Sequence, residues 1–161
     1  LIVHEVSALK KITIRKTSLL YTSANKPNKP VTEYLVGVPN LLVIVELANK
    51  NIIGAFTQNA FTKANQFSHS TIMSKAMIFS ILPQTFIVNE HRGEAIHFEE
   101  NVLTWGKQEI TINCNEPMTM NANLNCEEAV YNSAISTEEF MGGETKNVSI
   151  VKIEAYRNFF G

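Results

Sequence analysis

The sequence contains no aspartate, only two cysteines and no long apolar run. A Ser-His-Asp catalytic site uses an aspartate to orient the histidine, and this chain has none. The G-x-S-x-G turn that presents a serine nucleophile is also absent from the sequence. Glutamate can take the place of aspartate, so this absence lowers the expectation of such an enzyme without excluding it. No apolar run reaches the roughly 18 residues of a membrane-spanning helix, and the sequence therefore predicts no membrane insertion.

Charge is scarce and balanced, with 14 basic and 15 acidic residues and a formal net charge of −1. No long basic stripe is present, so we expect no nucleic-acid partner. Neither of the common glycine-rich phosphate-binding patterns occurs, and Gly142-Gly143 has the composition of a turn. Because 45% of the residues are hydrophobic and 18% are charged, the 161 residues are expected to form one packed domain.

The two cysteines, Cys114 and Cys126, lie in an asparagine-rich stretch, and the default expectation is a pair of free thiols. Glu116, Glu127 and Glu128 are close in sequence, and their charge is expected to raise the thiol pKa and make the thiols unreactive. Two alternatives remain open. One is a disulfide between the two cysteines, and the other is a peroxide-reactive thiol.

The best candidate for a metal site is His97 with Glu99, which share one face of a predicted strand, beside a turn that contains Glu90-His91. A zinc site normally needs three or four ligands held close together. We therefore expect a solvated rim at this position, with no bound metal and no cofactor.

Patterns of apolar and β-branched residues predict strands at Leu41–Leu47, Asn51–Thr57 and Ser74–Leu82. Further strands are predicted at Gln108–Asn113 and Val148–Tyr156. The stretches "TFIVN" and "EAIHFE" flank "NEHRG" and predict a hairpin. Residues 58–71 are predicted to be a loop. Thr32 is expected to cap a short helix that ends at Gly37.

Strands therefore predominate, and the strand-helix alternation of a parallel sheet is missing. These features predict an α+β, mainly β fold, in which an antiparallel two-sheet β-sandwich carries short flanking helices.

Several motifs occur in an order that resembles the TLDc domain of the oxidation-resistance proteins, over roughly residues 10–158. They are "SLLYTSA", "NLLVIVELANKNIIGAFTQNAF", "AMIFSIL", "WGKQEITIN" and "VSIVKIEAYRN". Gly54-Ala55 stands where the family has two glycines, and Gln108-Glu109 replaces its "DL" pair. The chain is accordingly expected to be a single TLDc-like domain over residues 1–161, and this domain is compatible with being a fragment of a longer chain.

The resemblance implies a non-enzymatic interaction domain that docks on a large assembly. The implied partners are a sector of the vacuolar proton-pumping ATPase (V-ATPase), with a role in oxidative-stress protection, or a cytoskeletal or axonemal lattice. The implied location is cytoplasmic, with a cytoskeletal or ciliary association as its variant. The alternative function is a redox-active protein that uses Cys114 or Cys126 directly against oxidants.

Three residues are predicted to have structural roles. Gly54 is expected to allow close packing beside the Leu41–Leu47 strand, Ala55 to occupy the second small position of the motif, and Trp105 to lie in the core.

Three other residues are predicted to bind a partner. Phe61 and Phe67 would form a patch if one loop exposed both rings. Glu154 matches an acidic position of the family's closing strand, and we expect it either to contact a partner or to accept hydrogen bonds from a neighbouring loop.

Overall fold

A computed structural model describes residues 14–25, 28–58, 60, 66–69, 76–82, 84–88, 94–127, 129, 131 and 133–160. Within these residues there are eleven strands. They are β1 (Ile14–Thr22), β2 (Leu41–Leu47), β3 (Ile52–Thr57), β4 (Gln66–His69), β5 (Ala76–Ile81), β6 (Gln84–Val88), β7 (Glu94–Glu99), β8 (Val102–Trp105), β9 (Ile110–Asn113), β10 (Thr119–Ala122) and β11 (Val148–Phe160). The two described α-helices are α1 (Val31–Leu35) and α2 (Thr137–Met141), and one turn of 3-10 helix spans Ser23–Asn25.

The strands form one antiparallel sheet with the order β4-β7-β8-β9-β10-β11-β2-β3-β5-β6, and β1 is an additional partner of β11. The long strand β11 connects the two halves of this order. Its first residues pair with β10, and the residues from Ile150 to Arg157 pair with β2. None of the described helices has the length and apolar character to cross a membrane.

The sheet curves so that one face encloses a single apolar core. Alternate residues of β2 and β3, such as Val43 and Ile53, belong to the same buried cluster as Phe98 and Trp105 from β7 and β8. Strands β8 and β3 are third and eighth in the order, so only a strongly curved sheet brings them together. The structure thus confirms the mainly β, antiparallel character and the short helices of the predicted fold.

A second apolar cluster lies on the opposite face of the sheet and consists of Leu42, Phe56, Met77 and Phe79. Strand β2 contributes buried side chains to both clusters, which is why its sequence is almost continuously apolar.

Gly54 lies in β3 next to this second cluster. A Cβ atom at Gly54 would lie 2.5 Å from the carbonyl oxygen of Val43 and would overlap the ring of Phe79. Ala55 points to the other face, where it is fully buried. The two small residues therefore occupy opposite faces of a strand that is covered on both sides.

The predicted hairpin between "TFIVN" and "EAIHFE" is wrong. Strand β6 pairs with β5 at one end of the strand order. Strand β7 pairs with β4 and β8 at the opposite end. The turn-forming residues predicted that the chain reverses locally and pairs with itself. Strand pairing instead depends on which partner lets each strand bury its apolar side chains.

The predicted loop over residues 58–71 is also partly wrong, because Gln66–His69 forms β4 and pairs with β7. Residues 59, 61–65 and 70–71 lie outside the described residues.

Thr32 does not cap helix α1, contrary to prediction. It lies inside the first turn, and the N-cap is Pro30, which makes no side-chain hydrogen bond. The free N–H groups of the first turn are satisfied from the β7–β8 turn instead. The N–H of Val31 donates to Asn101 Oδ1 at 2.9 Å, and the N–H of Thr32 donates to the carbonyl of Glu100 at 3.2 Å.

Helix α2 was not predicted, although the sequence contains its signal. The Ser136 side chain accepts a hydrogen bond from the N–H of Glu139, and Gly142 ends the helix in the left-handed conformation with φ 82°. A serine followed three residues later by glutamate, with glycine after the last turn, is the pattern of such a helix.

Candidate functional site

A cleft of about 640 Å³ lies between the end of β1 and the end of β9, and we refer to it as the β1–β9 cleft. Tyr21 and Ser23 come from the end of β1 and the turn that follows. Lys29 lies just before α1, and Asn101 belongs to the turn between β7 and β8. Together with the residues that follow β9, four separate segments of the chain therefore meet around this cleft.

The remaining lining residues follow β9 directly: Cys114, Asn115, Glu116 and Met118. Hydrogen bonds fix this wall to the β7–β8 turn. The N–H of Cys114 donates to the carbonyl of Asn101 at 2.8 Å, and the Asn101 amide donates to Asn115 Oδ1 at 3.1 Å. The same Asn101 side chain holds the start of α1, so one residue connects three segments around the cleft.

Tyr21 forms the apolar part of the cleft, and its ring packs edge-on against Tyr34 with centroids 5.5 Å apart. Burial, together with the neighbouring Cys114, Tyr34 and Glu116, raises the pKa of Tyr21 to about 12. The ammonium of Lys29 lies 5.8 Å from the centroid of the Tyr34 ring, within the range of a cation–π interaction.

Both cysteines are free thiols, which contradicts the disulfide alternative. Burial raises the pKa of Cys114 to about 12. Burial also raises the pKa of Cys126 to about 11, together with a hydrogen bond to the carboxylate of Glu109 and its charge. The direction predicted for both pKa values is confirmed, but the cause is mainly burial rather than acidic residues close in sequence.

Sequence analysis missed the role of Glu109, whose side chain is fully buried. Its Oε1 accepts hydrogen bonds from the N–H groups of Lys107 at 2.9 Å and Gln108 at 3.2 Å, and from the Cys126 thiol at 3.3 Å. Its Oε2 accepts from the N–H of Tyr131 at 2.8 Å. This carboxylate therefore links Cys126 and the backbone of Tyr131 to the turn between β8 and β9, which is a structural role for its charge.

Glu154 lies on β11, where Lys152 Nζ approaches its Oε1 at 3.5 Å. Burial raises the pKa of Tyr156, and the Glu154 carboxylate, which accepts a hydrogen bond from its hydroxyl, raises it further. Tyr156 is paired across the strands with Leu19 of β1, whose side chain is 52% exposed. Paired residues share one face of a sheet, so Leu19, Lys152, Glu154 and Tyr156 form one surface, which we call the β11 face.

The interaction patch predicted from Phe61 and Phe67 stays a prediction, because neither ring is among the described side chains. Phe61 lies outside the described residues. The backbone of Phe67 belongs to β4 and is paired with His97, while its side chain lies outside the described part of the chain. Trp105 is fully buried, and its indole N–H donates to the Thr57 hydroxyl at 3.0 Å.

The candidate metal ligands form one pair, with His97 Nε2 3.4 Å from Glu99 Oε2. Glu90 and His91 lie outside the described residues. Within the described ranges, no three or more His, Cys or Glu side chains come together as metal ligands would.

No protein-family model matches the chain, and no curated protein matches it either. Membership of the TLDc family is therefore a proposal, and its basis is the order of the strand motifs.

Proposed function

We propose that the chain is a non-enzymatic interaction domain of the TLDc type that docks on a large intracellular assembly. Support comes from the position of the motifs that carry the resemblance. Each of them overlaps a strand of the antiparallel sheet: β1, the β2–β3 hairpin, β5, β9 and β11. In this proposal the curved sheet corresponds to the two packed layers of a β-sandwich, consistent with the core that β3 and β8 share.

The observation that carries the interaction role is the composition of the β11 face. It combines an exposed leucine, Leu19, with a partly exposed ion pair between Lys152 and Glu154 and with the ring of Tyr156. Tyrosine is enriched at protein interfaces, and the rims of such interfaces are polar and solvent-accessible. The strands hold these side chains in fixed positions, which reduces the entropy lost on docking.

The buried reactive groups support a non-enzymatic role. With a pKa of about 11 or 12, a thiol is ionised in roughly one molecule in ten thousand or fewer at pH 7, and the thiolate is the reactive form. The carboxylate of Glu109 is engaged by backbone N–H groups of the chain itself. Neither group has the activation that catalysis requires.

The proposed partners are a sector of the V-ATPase, with a part in oxidative-stress protection, or a cytoskeletal or axonemal lattice, and the proposed location is cytoplasmic. The test is sedimentation of the purified chain with the soluble sector of a V-ATPase and, separately, with polymerised microtubules. We expect saturable binding to one of the two assemblies. Failure to sediment with either of them would contradict the proposal.

The second candidate function is direct reaction of a thiol with peroxide, and the location of Cys114 in the β1–β9 cleft is the observation in its favour. The thiolate would attack one peroxide oxygen, giving a sulfenic acid and releasing the other oxygen as hydroxide. Mass measurement after peroxide treatment tests this reaction. If a Cys114→Ser, Cys126→Ser double variant protects cells as well as the wild type, direct redox chemistry is excluded.

A further inference from the structure

Two opposite charges face the β1–β9 cleft without neutralising each other. Lys29 and Glu116 are both exposed lining residues, and they form no ion pair with one another. Among the described residues, the only partner of the Lys29 ammonium is the face of the Tyr34 ring, and the Glu116 carboxylate accepts no hydrogen bond. The cleft therefore offers one cationic and one anionic group to a ligand.

Three other lining residues of the cleft differ in character from these charges. Tyr21 is buried, and the two sulfur-containing residues Cys114 and Met118 also line the cleft. Sulfur atoms and aromatic rings pack well against apolar groups. A volume of about 640 Å³ falls in the range of small-ligand sites and leaves room for two charged groups joined by an apolar one.

We propose that the β1–β9 cleft binds a small zwitterion of the amino-acid or short-peptide class. The ligand carboxylate pairs with Lys29, the ligand ammonium pairs with Glu116, and an apolar side chain packs against Tyr21 and Met118. This binding site is independent of the docking function proposed above.

A ligand with both charges fits better than one with a single charge. A purely anionic ligand would pair with Lys29 but would bring its charge towards Glu116, which repels it. A purely cationic ligand would meet the reverse difficulty. Only a ligand with both groups forms a charge-assisted hydrogen bond at each wall and leaves neither protein charge desolvated and unpaired.

Hydrogen bonds hold the walls of the cleft in place before a ligand binds. The amide of Asn101 holds the start of α1 and the side chain of Asn115, and its carbonyl holds the backbone of Cys114. The loop that carries Glu116 is thus connected by hydrogen bonds to the segment that leads from Lys29 into α1. Walls that are fixed before binding lose little conformational entropy when the ligand enters.

The test is titration calorimetry of the intact chain with the dipeptide Ala-Leu, its N-acetyl form and its C-terminal amide. Each blocked form lacks one of the two charges and keeps the apolar side chain. We expect the free dipeptide to bind and each blocked form to bind about tenfold or more weakly. In Lys29→Gln the free and amidated peptides should become equivalent, and in Glu116→Gln the free and acetylated peptides should become equivalent.

Lys50→Gln and Glu144→Gln are the matched controls, because both residues are exposed and neither lines the cleft. They should leave the affinity unchanged, and circular dichroism establishes that all four variants are folded. The inference is overturned if the free dipeptide does not bind, if either blocked form binds as tightly as the free one, or if the cleft variants behave like their controls. None of these outcomes bears on sedimentation with an assembly, so this inference and the docking proposal fail separately.

Discussion

The indole N–H of Trp105 donates a hydrogen bond to the hydroxyl of Thr57 across 3.0 Å, and both side chains are buried. This bond joins the third and eighth strands of the sheet order, so it helps to hold the curved sheet closed.

Replacing Trp105 with phenylalanine should therefore destabilise the chain. The substitution leaves the buried Thr57 hydroxyl without its donor, and we expect a loss of about 1–3 kcal/mol in the free energy of unfolding, measured in urea. In a double-mutant cycle with Thr57→Val, the two effects should be less than additive by about 1 kcal/mol. Strictly additive effects would show that this hydrogen bond does not contribute to closing the sheet.

Gly54→Ala should also destabilise the chain, because the new Cβ would meet the Val43 carbonyl and the Phe79 ring. Overpacking of this kind costs about 1–3 kcal/mol. Adding Phe79→Leu relieves the ring overlap but leaves the backbone oxygen in place, so it should restore only part of the loss. An unchanged denaturation midpoint for Gly54→Ala would refute this account of the glycine.

Glu109→Gln keeps the size of the side chain but replaces one acceptor oxygen with an amide that donates. The two oxygens of Glu109 accept from three backbone N–H groups, so one of these donors should lose its acceptor. We expect a loss of about 2–3 kcal/mol in stability and faster hydrogen exchange at the Tyr131 amide. The exposed Glu144→Gln is the control and should stay within about 0.5 kcal/mol of the wild type. Equal effects of the two variants would contradict the structural role of Glu109.

Stability should fall in alkaline solution because of Cys114. Its pKa rises from 9.0 to about 12 on folding, so its contribution is fully present below pH 9 and is lost as the pH rises to about 12. In that window the unfolded state releases the thiol proton and the folded state keeps it, which costs about 1.4 kcal/mol per pH unit for one thiol.

Cys114→Ala is the variant that isolates this effect. Its stability should decline less steeply between pH 9 and 12 than that of the wild type. Other groups whose pKa values are raised by burial contribute to the remaining slope: Cys126, Tyr21, Tyr131 and Tyr156. Urea unfolding at several pH values gives both slopes. Parallel curves for the two proteins would mean that burial of the Cys114 thiol does not shift its pKa.

The strongest sequence signals gave the right strands. Strand β2 has the predicted bounds, Leu41–Leu47, because its residues are apolar on both faces and few other structures bury such a run. Strands β4, β8 and β10 were missed, and each has only four residues. The sequences of β4 and β10, "QFSH" and "TMNA", are also largely polar and become strands through their neighbours. Helix α2 is the opposite case, because its capping serine and terminal glycine are a local signal that the sequence does contain.

The candidate sites were harder to predict because they combine distant segments. Tyr131 meets Glu109 from 22 positions further along the chain, and the β1–β9 cleft joins four separate segments. No periodicity or motif records such contacts, since they depend on the curvature of the whole sheet. Glu154, in contrast, was identified from its place in a strand motif, and its partners Lys152 and Tyr156 lie two residues away on the same strand face.

The docking proposal is tested most directly by comparing Glu154→Lys with Glu144→Lys in equilibrium binding to the assembly with which the wild type sediments. Glu154 belongs to the β11 face, whereas Glu144 is exposed outside it, and both variants change the net charge equally. We predict at least a tenfold loss of affinity for Glu154→Lys and no change in affinity for Glu144→Lys. Leu19→Ser should also lose affinity, while its circular dichroism spectrum shows that it is folded like the wild type. Equal affinities for all three variants and the wild type would contradict docking through the β11 face.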